Sequence, residues 1–148
     1  MTSSIPGGPN QPHFHPKGKM PTAHTRATLA AARGSLPFDD TRDFEECARG
    51  LIAHMQEKKI TADAGHDAWD MGRFDFIDAA DDYDSIHPSL LRQAKLNQDY
   101  GLYEVVPGIY QIRGFDLSQM TFVRGKTGWI VFDVLISAET ARAGFSLF

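Results

Sequence analysis

Apolar residues recur along the chain at two different periods. Phe44, Cys47, Ala48, Leu51, Ile52 and Met55 fall at i, i+3, i+4, i+7, i+8 and i+11. That spacing draws one stripe on a helix and predicts a helix from about Thr41 to Lys58. Asp40 is placed as its N-cap, Phe38 as a staple before it, and Lys58 and Lys59 suit the negative end of its dipole. Gly50 falls in mid-helix, a cost of about 1 kcal/mol against Ala. Ile60-Thr61-Ala62, a turn at Asp63-Ala64-Gly65-His66, and Ala68-Trp69-Asp70 read as a short hairpin. Phe74, Phe76 and Ile77 are expected to be buried. A second helix starts near His87, with Pro88 in its first turn, where a missing N–H costs nothing. It runs through Leu91 and Ala94 to about Asn97.

Beyond Gly101 the period shortens. Leu102 to Val106 and Ile109 to Arg113 flank the turn dipeptide Pro107-Gly108. Met120 to Arg124 and Trp129 to Asp133 flank Gly125-Lys126-Thr127-Gly128, a hairpin turn. Trp129-Ile130-Val131-Phe132 is continuously apolar, as a strand covered on both faces would be. Ser137 then caps a helix that begins Ala138-Glu139-Thr140.

The first 37 residues read differently. Between Met1 and Met20 the chain holds Pro6, Gly7, Gly8, Pro9, Pro12, Pro16 and Gly18, with Phe14 as its only aromatic. Such a segment buries too little apolar surface to offset the entropy of ordering. Ala27 to Arg33 suits a short helix, stopped by Gly34 and Pro37. The pattern predicts a disordered extension over 1–37, a helical lead-in with a short hairpin over 38–100, and a strand-rich part over 101–148. No internal repeat is visible.

Composition narrows the classes. The 148 residues suit one ordinary domain, and the roughly 110 expected to be ordered are few for a self-sufficient enzyme. Fifteen Lys and Arg against nineteen Asp and Glu give a net charge of −4, which argues against a nucleic-acid or polybasic membrane role. Hydrophobic residues make up 42%, enough for a packed core. Cys47, the single cysteine, has no partner for an internal disulfide. No apolar run approaches the roughly 20 residues of a membrane span, and Leu29 to Ala32 is too short for a secretory core. The expected compartment is a reducing cytoplasm.

Candidate chemistry is sparse. His13 and His15 lie in the Gly/Pro segment with no third partner, whereas a zinc site needs three or four ligands on a scaffold. Cys47 and His54 are placed on one face of the first expected helix, two ligands that do not make a site. The acidic run Asp75, Asp78, Asp81, Asp82 and Asp84 lacks the Gly and Glu register of a calcium loop. Gly125-Lys126-Thr127-Gly128 contains Gly-Lys-Thr but lies between strands and does not open a helix, so it is no phosphate loop. No Gly-x-Ser-x-Gly elbow occurs. Asp133 stands out, because a carboxylate closing an apolar strand is costly without partners. It reads either as a loop-capping acid or as an acid facing a site.

From Ser85 onward the residues resemble the linear, dodecyl-sulfate-hydrolysing alkylsulfatases of the metallo-β-lactamase superfamily. The matching runs are His87-Pro88-Ser89-Leu90, Arg92-Gln93-Ala94, Leu96-Asn97, Gly101 to Val105, Gly108 to Ser118, Thr127 to Asp133, and Ser137 to Ala141. Asp43-Phe44, Ala48 to Ile52 and Trp69-Asp70-Met71 match more loosely, so that the likeness covers about 38–143. Asp67-Ala68 departs from an expected apolar pair, and Gly144 to Phe148 departs from the expected helix continuation.

The resemblance implies an α+β fold, the N-terminal part of a metallo-β-lactamase αββα sandwich: a helical lead-in, then an incomplete antiparallel meander. It implies a zinc hydrolase that cleaves a small-molecule alkyl sulfate, with two zinc ions held by a His-x-His-x-Asp-His motif and further residues. That motif is expected beyond the strand ending at Asp133, so the match assigns no catalytic residue and no zinc ligand within this chain. Asp133 corresponds to the site-proximal strand-end Asp, a structural support. The leading expectation is a fragment of an alkylsulfatase, inactive by itself. The alternatives are a non-catalytic remnant acting as an interaction or homodimerisation module, and a part of another metallo-β-lactamase-type hydrolase.

Overall fold

A computed structural model describes residues 20–80 and 83–148. Helix α1 spans Ala23–Ser35, with Thr22 as its N-cap accepting from the Thr25 N–H at 3.1 Å. Helix α2 spans Arg42–Ala48, and strand β1 follows at Leu51–His54. Strands β2 (Lys59–Thr61) and β3 (Asp67–Asp70) lead into a 3-10 segment at Gly72–Ala79. Helix α3 covers Pro88–Leu96. Strands β4 (Gly101–Val106), β5 (Ile109–Arg113), β6 (Met120–Arg124) and β7 (Trp129–Phe132) follow, and helix α4 covers Ala138–Leu147.

The α+β class expected from the resemblance is the one observed. A five-stranded antiparallel sheet runs in the order β1-β4-β5-β6-β7, and β2 and β3 pair separately. Tyr110 lies opposite Phe122, Phe122 opposite Val131, and Ile112 opposite Met120, so these side chains share one face. Helix α4 covers that face: the Phe148 ring stacks on Phe122 with centroids 3.8 Å apart and meets Trp129 edge-on. The core is Ile60, Leu102, Ile112, Phe115, Met120, Phe122 and Leu135. The opposite face carries Tyr103, Gln111 and Thr121 in register with Phe132, and Val123 with Ile130.

Several expectations are corrected. The helix predicted over Thr41–Lys58 stops at Ala48, because Gly50 adopts φ +81°, a conformation that ends helices and favours glycine. A Cβ on Gly50 would sit 2.4 Å from the Glu104 carbonyl oxygen, so its small size lets β1 approach β4. Lys58 and Lys59 therefore cap no helix; they pair with Asp75 at 2.5 Å and Asp67 at 2.6 Å. Strand β1 pairs with β4, so the lead-in contributes a strand to the main sheet. Within the stretch 1–37 expected to be disordered, residues 23–35 form α1, which buries Leu29 and ties to Asp84 through Arg26 at 3.3 Å. Phe74 and Phe76 are exposed, and of that trio only Ile77 is buried. The hairpin, α3 and the four later strands lie where the sequence places them. Strand β7 is the exception in burial: all four of its residues are exposed, Phe132 at 58%, at one edge of the sheet.

Candidate functional site

The strand end at Asp133 is the natural place to build from. Strand β7 stops at Phe132, and the chain turns through Asp133 at φ 58° and Leu135 at φ 67°. A bulky leucine in the left-handed region costs energy and persists only where its surroundings over-determine it. Here Leu135 is buried in the core and Asp133 is tied down. The Ser118 hydroxyl donates to the Asp133 carboxylate, and the Val134 N–H donates to its other oxygen at 2.7 Å. The Ser118 hydroxyl, then the Val134 N–H, hold the Asp133 carboxyl below its ordinary range. Asp133 faces solvent, which removes the burial cost expected of it.

A second acid organises the same loops. Asp116 is buried and accepts from the Ser118 N–H, the Ile136 N–H and the Thr140 hydroxyl, each at 2.7 Å. Thr140 also closes a capping box with Ser137 at the start of α4. Asp116 thus links loop 114–119 to the strained segment after β7 and to the first turn of α4. Sequence reasoning quoted Asp116 and Ser118 only within a longer match and missed their roles. The available signal was the Asp-x-Ser pattern, in which a carboxylate accepts the N–H two residues on.

Beside loop 114–119 lies a cavity of about 670 Å³. Cys47, Tyr103, Arg113 and Ser118 are among the residues that line it. The Arg113 guanidinium lies 4.1 Å from the Tyr103 ring centroid. Burial first, then the nearby Asp99 carboxylate, push the Tyr103 phenol up to about 12. Burial likewise raises the Cys47 thiol.

The remaining sequence candidates do not converge. Cys47 lies on α2 and donates to the Leu96 carbonyl at 3.4 Å, while His54 ends β1 and is exposed; the helix that would have aligned them is interrupted. His13, His15, Asp81 and Asp82 lie outside the described residues. Asp75 and Asp84 are taken up by Lys58 and Arg26. Among the described residues no three His, Cys, Asp or Glu side chains gather where they could hold a metal ion. The oxygens of Asp116 and Asp133 are already engaged by donors of the chain itself. This donor set does not fit a zinc centre. No helix among the described residues is long and apolar enough to cross a membrane.

An antiparallel meander, an Asp at the end of its last strand and a capped helix behind it define an α+β framework. The chain is 42% identical over 130 residues to an (R)-specific secondary-alkylsulfatase of a Pseudomonas species, covering 88% of this chain and 20% of that protein. It is 37% identical over 123 residues to the alkyl/aryl-sulfatase BDS1 of Saccharomyces cerevisiae, covering 83% and 19%. Among solved structures, the stereoselective inverting sec-alkylsulfatase Pisa1 from Pseudomonas superposes with a TM-score of 0.80 at 43% identity, over 87% of this chain and 20% of that one. No family model matches. The chain is similar to alkylsulfatases over most of its length, and it spans about a fifth of the length of the curated relatives it matches.

Proposed function

We propose that this chain carries one portion of a zinc-dependent alkylsulfatase of the metallo-β-lactamase superfamily, whose whole form hydrolyses long-chain alkyl sulfate esters to alcohol and sulfate. The observation that supports this most is the 42% identity to a secondary-alkylsulfatase across 88% of the chain. Hydrolysis of such an ester expels an alkoxide, a poor leaving group, and two zinc ions would supply the activated water. The described residues offer no zinc site, so the contribution of this chain is the framework. Asp116 and Ser118 fix the strained segment through Asp133. The unpaired Cys47 fits a reducing, cytoplasmic setting.

A second reading, a non-catalytic interaction module, draws on one observation: the exposed apolar edge at β7. A chimera separates the two. The corresponding 130 residues of the Pseudomonas secondary-alkylsulfatase are replaced by those of this chain, and sulfate release from an alkyl sulfate is measured. The framework reading expects activity in the chimera and none from residues 1 to 148 alone, with or without added zinc. A lone carboxylate acting as general base offers roughly 10²–10⁴-fold, short of the ~10⁶-fold or more typical of enzymes. A folded, zinc-loaded but inactive chimera would sink the reading, as would chelator-resistant sulfate release by the 148-residue chain.

A further inference from the structure

The two hairpin turns of the meander lie side by side at one end of the sheet. The Arg124 N–H donates to the Gly108 carbonyl at 2.8 Å, and Ile109 lies opposite Val123. The Pro107-Gly108 turn therefore sits against the turn from Gly125 to Gly128, and Trp129, opposite Arg124, completes the group. Turns are usually polar, yet this end is apolar at its tip. Val105 (47% exposed), Val106 (50%) and Trp129 (42%) stand in solvent beside the exposed Pro107. A register shift between Glu104 and Val106 leaves Val105 without a partner on β5, and such bulges re-aim side chains. Apolar surface held out by the backbone in this way marks a contact surface. The charges at the tip are of one sign. Arg124 and Lys126 are exposed, and neither has a carboxylate partner among the described residues. The Arg124 guanidinium lies 5.2 Å from the Trp129 ring centroid. Of the acids on the flanking elements, Glu104 accepts from the Tyr110 hydroxyl at 3.0 Å, and Glu46 pairs with Arg49 at 3.6 Å. The net charge of −4 does not cancel this patch, because acids more than about 8 Å away are screened at physiological salt.

We propose that this end of the sheet docks on an anionic phospholipid surface. Val105, Val106 and Pro107 enter the headgroup layer. Trp129 sits at the boundary, where an aromatic ring with a polar N–H is favoured. Arg124 and Lys126 meet the lipid phosphates and carboxylates. These few side chains fall short of the roughly 20–30 residues a side of a specific protein interface, whereas a lipid surface demands no matching shape. Asp133 follows the same strand roughly 13 Å away, at about 3.3 Å per residue, so docking leaves loop 114–119 and Asp133 in water. The proposal is independent of the sulfatase reading.

The test mixes the 148-residue chain with vesicles of phosphatidylcholine alone, or of phosphatidylcholine and phosphatidylserine in equal parts. Binding is read by cosedimentation and by quenching of tryptophan with brominated lipid. Binding should need phosphatidylserine and fade as salt rises to about 1 M, where the screening length is about 3 Å. Quenching should fall on Trp129 and vanish in Trp129→Phe, because Trp69 donates its N–H to the Gly114 carbonyl at the other end of the sheet. Arg124→Gln with Lys126→Gln should weaken binding about 25-fold, at roughly fivefold for each cation near an anionic surface. Val105→Ser with Val106→Ser should weaken it about tenfold through lost apolar burial. Lys95→Gln on α3, which leads into the opposite end of β4, and Phe132→Ser on the exposed edge strand should change nothing. Binding to neither vesicle, equal binding to both, binding that survives both tip variants, or loss of binding in Phe132→Ser alone would each overturn the proposal. Quenching of Trp129 in the wild-type chain decides even if a tip variant fails to fold.

Discussion

The Ser118 hydroxyl is the largest cause of the lowered pKa of Asp133. A carboxyl whose folded pKa is depressed contributes stability that is present above its unfolded value, near 3.8. That contribution is lost as pH falls through the lowered folded value. Ser118→Ala should therefore move the Asp133 titration up towards the ordinary range, followed through its carboxyl carbon by NMR. An unchanged midpoint would show that the Val134 N–H suffices alone. At Gly50 the constraint is steric. A methyl group there would lie 2.4 Å from the Glu104 oxygen at φ +81°. Gly50→Ala should destabilise the fold by about 1–3 kcal/mol, the usual scale for such strain. Urea unfolding would check it, and a wild-type midpoint would refute the role given to Gly50.

At the scale of elements, legibility followed how far a local pattern had only one solution. The turns at Pro107-Gly108 and Gly125 to Gly128 delimit strands that cannot be much else, and β5, β6 and β7 fall where those turns put them. His87 and Pro88 mark the start of α3 in the same way. The stretch Leu51 to Met55 admitted two solutions. Leu51, Ile52 and Met55 continue a helical stripe, yet Leu51 and Ala53 also alternate in burial with Ile52 and His54, as a strand requires. The positive φ of Gly50 and the pairing with β4, which lies 50 residues away, decided for the strand. Long-range pairing also explains why the Asp116 hub went unread: its partners Ile136 and Thr140 are 20 and 24 residues distant. The seat of α2 on α3 rests on Arg92, whose side chain is 20% exposed. It donates to the Asp43 carboxylate through two nitrogens and to the Phe38 and Asp40 carbonyls, and it lies 4.9 Å from the Phe44 ring centroid. Arg92→Ala should lower the melting temperature and speed amide exchange in α2. Arg92→Lys should restore only part, since lysine lacks the planar fork. Equal melting of all three proteins would remove Arg92 from this account.

For the whole molecule the decisive feature is asymmetry of cover. One face of the sheet is closed by α4 and the β2–β3 hairpin. At the other end Ile130 (55% exposed), Phe132 (58%), Val134 (59%) and Ile136 (65%) stand in solvent along an unpaired edge. Natural edge strands are blunted by lysine, proline or bulges. Trp129-Ile130-Val131-Phe132 contains no charge and no proline, and contiguous apolar surface of this kind marks an association site. The net charge of −4 works against self-association, but like charges spread over the surface are screened beyond about 8 Å at physiological salt, whereas strand pairing acts at contact. We propose that the 148-residue chain associates with itself through β7, a homodimer by edge pairing being the simplest form. Sedimentation should show a concentration-dependent shift from monomer to dimer, and Ile130→Lys with Phe132→Lys should abolish it by placing two charges on the edge. Leu90→Lys, at an exposed apolar position on α3 away from the sheet (63%), should leave it intact. A concentration-independent monomer would remove the interaction-module reading.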